Sequence, residues 1–447
     1  MKTKLSALLL VLFLTIALTV PAFAQNSPGV YAIKNAKIFT LAGQPIDNGT
    51  VVIRDGKIAA VGADAAIPDG AQVIDGSGLE VYPGMFDPVT QIGLEEVSAV
   101  NATMDTEETG EFNPDVVAAT AFNADSAHVD VTRAAGITEV LTVPGPLGGF
   151  GFGGGGEVIG GQASAVNLGG WNINDMAINR SAAMEITWPS ISTGSFDLTT
   201  FSFRQLPFAE AEKQYRKKMD GLADLIDKAR HYAEARKNGS ADNFERDLKL
   251  EALVPVVEGK EPLLVVAFSA RDIRNAVEFC EKQKLRMILA GAAEAWKVSD
   301  LLKKDNIPVI IGPVLSMPQS EDDPYDAAYT LGSVLYNAGI KIAFGSFNTS
   351  FSRRLPQYAG TAVAYGLPHE EGLKAVTLNA AQMLGLGDQY GTIETGKVAN
   401  IVVTNGDLLE LSTQVKYLFI KGQLTSLDNK QLDLYNRFRN RPKPATP

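Results

Sequence analysis

Between residues 85 and 344 the chain carries eight short apolar runs, and this repetition constrains its fold more than any other feature. The runs fall at 85–92, 136–143, 162–168, 182–188, 263–268, 285–289, 308–311 and 340–344. Segments with helical spacing, such as 271–283 and 297–304, lie between most of them. Strands covered by helices on both faces read as continuous apolar runs rather than as alternation. Eight such units predict an α/β fold, a (β/α)8 TIM-like barrel, although a doubly wound sheet would give the same local signals. A long insertion at 189–262 follows the fourth run and carries a charged helix at about 210–237.

Both flanks read differently. Residues 28–81 and 391–425 are short strand patterns broken by turn pairs such as Asn48-Gly49, Asp55-Gly56 and Asn405-Gly406. Such pairs mark hairpins. Two β-rich ends around a long middle predict one small composite β-sandwich on a barrel spanning 82–390, with residues 426–447 as a tail. The first 24 residues have the character of a signal peptide: Lys2 and Lys4, an apolar run, then Ala22-Phe23-Ala24 as a cleavage site. That predicts export to a periplasm or beyond. No stable membrane span is expected after cleavage, since no other run is long enough to cross a bilayer. The formal charge is −11 and no basic run exceeds three residues, which argues against a nucleic-acid partner.

Several ordered motifs at both ends carry a resemblance. They include Asp55-Gly56-Lys57-Ile58 and Tyr82-Pro83-Gly84-Met85-Phe86-Asp87. Near the other end stand Ala375-Val376-Thr377-Leu378-Asn379-Ala380-Ala381 and Gly391-Thr392-Ile393-Glu394-Thr395-Gly396-Lys397-Val398-Ala399-Asn400-Ile401-Val402. Together they resemble the amidohydrolase superfamily, most closely its imidazolonepropionase-like branch. The resemblance implies a barrel with a small β-sandwich. It also implies hydrolysis of C–N bonds in cyclic amides or related substrates, with zinc or another divalent metal as cofactor.

The departures bear on that chemistry. The family's His-x-His pair on the first barrel strand would fall at Val89 and Gln91, its fifth-strand histidine near Val266, its sixth-strand histidine near Gly291 and its eighth-strand aspartate at Phe347. None of these offers an imidazole or carboxylate to a metal. The chain has only three histidines, His128, His231 and His369, and none lies at those positions. No metal and no other cofactor is therefore expected. Cys280, the sole cysteine, continues the helical stripe Ile273, Ala276, Val277 and reads as core. Ten of the seventeen residues at 145–161 are glycine, but no Lys or Arg stands among them, so a phosphate loop is not expected. Asp322 and Asp323 precede Pro324 and read as acids at a helix start.

Three readings follow. The first is a non-catalytic member that binds an unknown small molecule, or that pairs with its own copies or an active relative. Its barrel-mouth candidates are Gln91, Phe268, Phe347, Asn348, Gly154 and Gly155. The second is a hydrolase of C–N bonds with a rebuilt site, with or without a metal, using Asp87, Gln91 or other acids of the pocket. The third is a scaffolding protein of the cell envelope.

Overall fold

The computed structural model describes residues 29–147, 157–197, 202–237 and 246–441. The expected leader, and Gly154 and Gly155, lie outside them.

The two ends meet in one sheet. β1 (Tyr31–Ile38), β2 (Ile46–Arg54), β3 (Lys57–Gly62), β4 (Gln72–Asp75) and β5 (Glu80–Pro83) come from the N-terminal side. β1 bends along its length, pairing with β4 through Tyr31–Lys34 and with β5 through Lys37–Ile38. A core of Ile33, Ile38, Val51, Ile53, Ile58, Ile401 and Phe419 draws on both termini, so neither end can bury its apolar face alone.

The middle is a barrel of eight strands: β6 (Met85–Thr90), β7 (Ile137–Thr142), β8 (Ile159–Asn167), β9 (Ala177–Thr187), then β12 (Leu263–Ala267), β13 (Met287–Gly291), β14 (Val309–Ile311) and β15 (Ile342–Phe344). A hairpin of β10 (Gly194–Asp197) and β11 (Ser202–Gln205) lies in the insertion, and β16 (Ile401–Thr404), β17 (Val415–Ile420) and β18 (Gln423–Thr425) complete the terminal sheet. Each expected run overlaps one of the eight strands, although β8 and β9 begin before their runs and β13 ends after its own. The alternation breaks in one place: β8 runs antiparallel to both β7 and β9. Only the short helix Ile173–Met176 separates β8 from β9, and so short a link suits an antiparallel return. β6 and β15 share no ladder. The Phe347 amide donates to the Val89 carbonyl at 2.8 Å across the seam.

Two apolar layers hold the barrel. Leu141, Ala163, Ala183, Leu264, Val266, Ile288, Ala290, Ile310 and Ala343 fill its interior, and Ala380, Ala381 and Met383 belong to the same cluster. Ile186, Val265, Leu289, Ile311 and Phe344 face the surrounding helices. The insertion holds the expected charged helix as Phe208–Lys237 and adds a second, Leu248–Val257, packed against it. The segment expected as a tail carries the helix Lys430–Phe438, every residue of which is exposed.

Candidate site at the barrel mouth

The C-terminal ends of β12, β13, β14 and β15 open on a cavity of about 350 Å3. Leu147, Phe268, Gly291, Pro313, Phe347 and Phe351 are among its walls, and Ser346, Asn348, Arg354 and Tyr358 border it as well. Three of the candidates, Phe268, Phe347 and Asn348, are thus brought together.

Phe268 and Phe347 meet edge to face, ring centroids 6.4 Å apart. Phe268 stands directly over Gly291, where a β-carbon would lie 2.7 Å from the ring. Gly291 has φ +89°, a backbone that side chains seldom adopt. Phe347 is itself left-handed at φ +54°, which for a bulky residue is a strained conformation. Its ring lies within 3.1 Å of where a Gly345 side chain would begin, against Val89.

Asp87 and Gln91 do not reach the cavity. Asp87 is fully buried. It accepts from the Ser346 amide at 3.0 Å, the Ser352 hydroxyl at 2.5 Å and the Val89 amide at 3.4 Å. Burial pushes its carboxyl up to about 6 despite those hydrogen bonds. It ties the first barrel strand to the loop beyond the last. Gln91 donates through Nε2 to the Gly145 carbonyl at 2.8 Å, so its amide is turned toward the start of the glycine-rich segment.

A divalent metal does not fit this donor set. Val89 and Val266 sit in the apolar interior, Gly291 has no side chain, and the Phe347 and Phe268 rings fill the space around them. Among the described residues no three His, Cys, Asp or Glu side chains come together as a metal site. The histidines have local partners: His128 Nε2 lies 3.0 Å from the Glu96 carbonyl, and His369 Nε2 lies 2.6 Å from Asp407 Oδ2. His231 is exposed. Cys280 is buried, and burial pushes its thiol up to about 12.

The expected helix-start role of Asp322 and Asp323 is not seen. The helix begins at Ala327, Asp326 precedes it with no side-chain cap, and Asp323 instead pairs with Lys297 at 2.5 Å. An ammonium partner in reach outweighs a helix end four residues away.

Sequence reasoning missed two interior acids. Glu139 on β7 and Glu185 on β9 are fully buried, and burial pushes both carboxyls up to about 8. Glu185 accepts from the Gly160 amide at 2.9 Å and the Thr187 hydroxyl at 2.7 Å. A period-2 reading of β7 through Glu139 and Leu141 would have placed Glu139 on the inner face.

The C-terminal segment 328–425 matches the family model described as the amidohydrolase family. An amidohydrolase structure from Thermotoga maritima MSB8 superposes over 89% of this chain and 99% of its own, at a TM-score of 0.75 and 25% identity. This chain belongs to the amidohydrolase superfamily. Among its curated relatives are amidohydrolase tasK of Hapsidospora irregularis, 22% identical over 399 residues, and the imidazolonepropionase of Thermoplasma volcanium, 33% identical over 118. The second supports the imidazolonepropionase-like branch over the segment that it covers. These alignments take in 84% and 24% of this chain but only 39% and 29% of those relatives' lengths.

Proposed function

We propose that this superfamily member is an exported protein that has given up metal-dependent hydrolysis and uses the barrel mouth to bind a small ligand. One observation carries the reading: the Phe268 ring occupies the space over Gly291, at a position where the family resemblance calls for a metal-binding histidine. A hydrophobic wall has replaced a polar centre. Leu315 and Met317, 48% and 78% exposed, rim the same cavity, and apolar groups left in water at a concave site suit a ligand. The apolar run of residues 5–20 and the small residues behind it support export. A rebuilt hydrolase using Asp87 or Gln91 is the weaker reading, because both side chains are committed to internal partners.

The test is the metal content of the untagged protein after growth with zinc, iron and manganese supplied. A histidine tag would add imidazoles at a position the fold does not use. The expected result is under about a tenth of an equivalent, whereas roughly one retained through dialysis would overturn the proposal.

A further inference from the structure

Arg354 borders the mouth cavity with its guanidinium carbon 4.0 Å from the Phe351 ring centroid. It is half-buried, and among the described residues no carboxylate pairs with it and no acceptor takes a hydrogen bond from its side chain. Arg133, Arg216, Arg230, Arg236, Arg246 and Arg271 have acidic partners, while others such as Arg54, Arg180, Arg274 and Arg286 are exposed to water and Arg353 donates to the Ser350 carbonyl. The acid in the cavity lining, Asp323, is taken by Lys297 and by the Ser320 amide. A partly desolvated guanidinium left without a counter-charge is costly unless a ligand supplies one.

Two further donors face the same space. Tyr358 lies one helical turn beyond Arg354 in the helix Leu355–Ala364 and is only 3% exposed, yet its hydroxyl has no hydrogen-bond partner among the described residues. Asn348 uses its Oδ1 to accept from the Phe351 amide at 2.9 Å, which leaves its Nδ2 protons uncommitted. The Arg354 guanidinium and the Asn348 Nδ2 can only donate and the Tyr358 hydroxyl can donate to the same acceptor, set against walls of Phe268, Phe347 and Leu147, while Ser316 and Gln319 on the same lining can donate or accept.

We propose that the cavity selects a small organic anion: an apolar or aromatic body against the phenylalanines, and a carboxylate that accepts from Arg354, Tyr358 and Asn348. This rests on the ligand-binding reading above and specifies it. A planar carboxylate matches the guanidinium fork, while a free phosphate would have to give up its hydration to mostly apolar walls. The volume, near the lower end for small-molecule sites, limits the body to about one ring with a short chain.

Titration calorimetry with 4-phenylbutyrate and its neutral analogue 4-phenylbutyramide tests this on the whole protein. The carboxylate is expected to bind at least ~10-fold more tightly than the amide, and raising salt should narrow the gap. Arg354→Gln should make the two probes equal, and Arg354→Lys should keep part of the preference. Equal binding of both probes by the unmodified protein overturns the anion inference and leaves the ligand-binding reading standing. A preference that survives Arg354→Gln overturns the assignment to Arg354. If neither probe binds, the inference and the reading beneath it both fall. The comparison of the two probes on the unmodified protein decides even if a variant folds poorly.

Discussion

Gly291 and Phe268 compete for one volume, and the competition can be measured. Gly291→Ala puts a β-carbon 2.7 Å from the Phe268 ring and holds it at φ +89°. The expected loss is of order 1–3 kcal/mol in urea unfolding, since backbone strain and overpacking act together. Adding Phe268→Ala removes the clash but not the strain, so the two losses should fall short of additive. A fully additive pair would mean that the ring does not lie over the glycine. Asp87→Asn makes a second residue-scale prediction. Asp87 accepts from three donors, and an asparagine can keep the Ser346 and Val89 amides on its oxygen only by turning its NH2 to the Ser352 hydroxyl, which must then accept and lose its short charge-assisted bond. About 1–3 kcal/mol should be lost, with the last-strand loop loosened. Amide exchange at Ser346 reads the loosening, and an unchanged rate there would sink the account.

At the scale of elements, Gln91 fastens the end of β6 to the segment that follows β7 through the Gly145 carbonyl. Gln91→Leu removes that donor and should cost roughly 1 kcal/mol. Gln91→Glu should cost more at pH 8 than at pH 5, because an ionised carboxylate would face the carbonyl oxygen. Equal melting losses at the two pH values would mean that the side chain turns elsewhere. The same elements show what could be read in advance. Strands such as Leu263–Ala267 are buried on both faces, and unbroken apolar runs declare that directly. The reversal of β8 was not legible, because Ile159–Asn167 looks alike in either direction and only its connections set its course. The helix Leu248–Val257 was missed because Pro255 sits inside it and its residues are largely apolar. Phe268, Phe347 and Asn348 could be placed at the mouth from their positions after strands. Arg354 and Tyr358 could not, because their part depends on how the helix Leu355–Ala364 leans on the cavity.

The barrel and the terminal sheet are joined by buried polar groups. Asn400, next to β16, donates to Glu139 Oε1 at 2.6 Å and to Asn167 Oδ1 at 2.7 Å, and accepts from the Lys421 amide at 2.7 Å. Glu139 and Glu185 lie inside the barrel, and burial raises both carboxyls to about 8. In the unfolded chain these acids titrate near 4.5. Between those values the folded protein therefore holds protons that the unfolded chain has released. Stability linked to them is fully present below about pH 4.5 and is lost as pH rises to about 8. Asp87, raised to about 6, acts in the same direction over a lower window. His369, raised chiefly by its hydrogen bond to Asp407, likewise contributes stability that fades as pH climbs through its folded value. Glu258, held down to about 2 by Lys237 and Lys260, is ionised in both states above pH 5 and does not oppose the trend there. The whole molecule should therefore melt several degrees lower at pH 8.5 than at pH 5.5. Glu139→Gln and Glu185→Gln remove the titrating groups, so each should flatten the profile and the double variant should flatten it most. A flat profile in the unmodified protein would mean that water reaches these carboxyls. A steep profile that survives the double substitution would move the pH dependence to Asp87, His369 and Glu261, a carboxyl that burial pushes up to about 7.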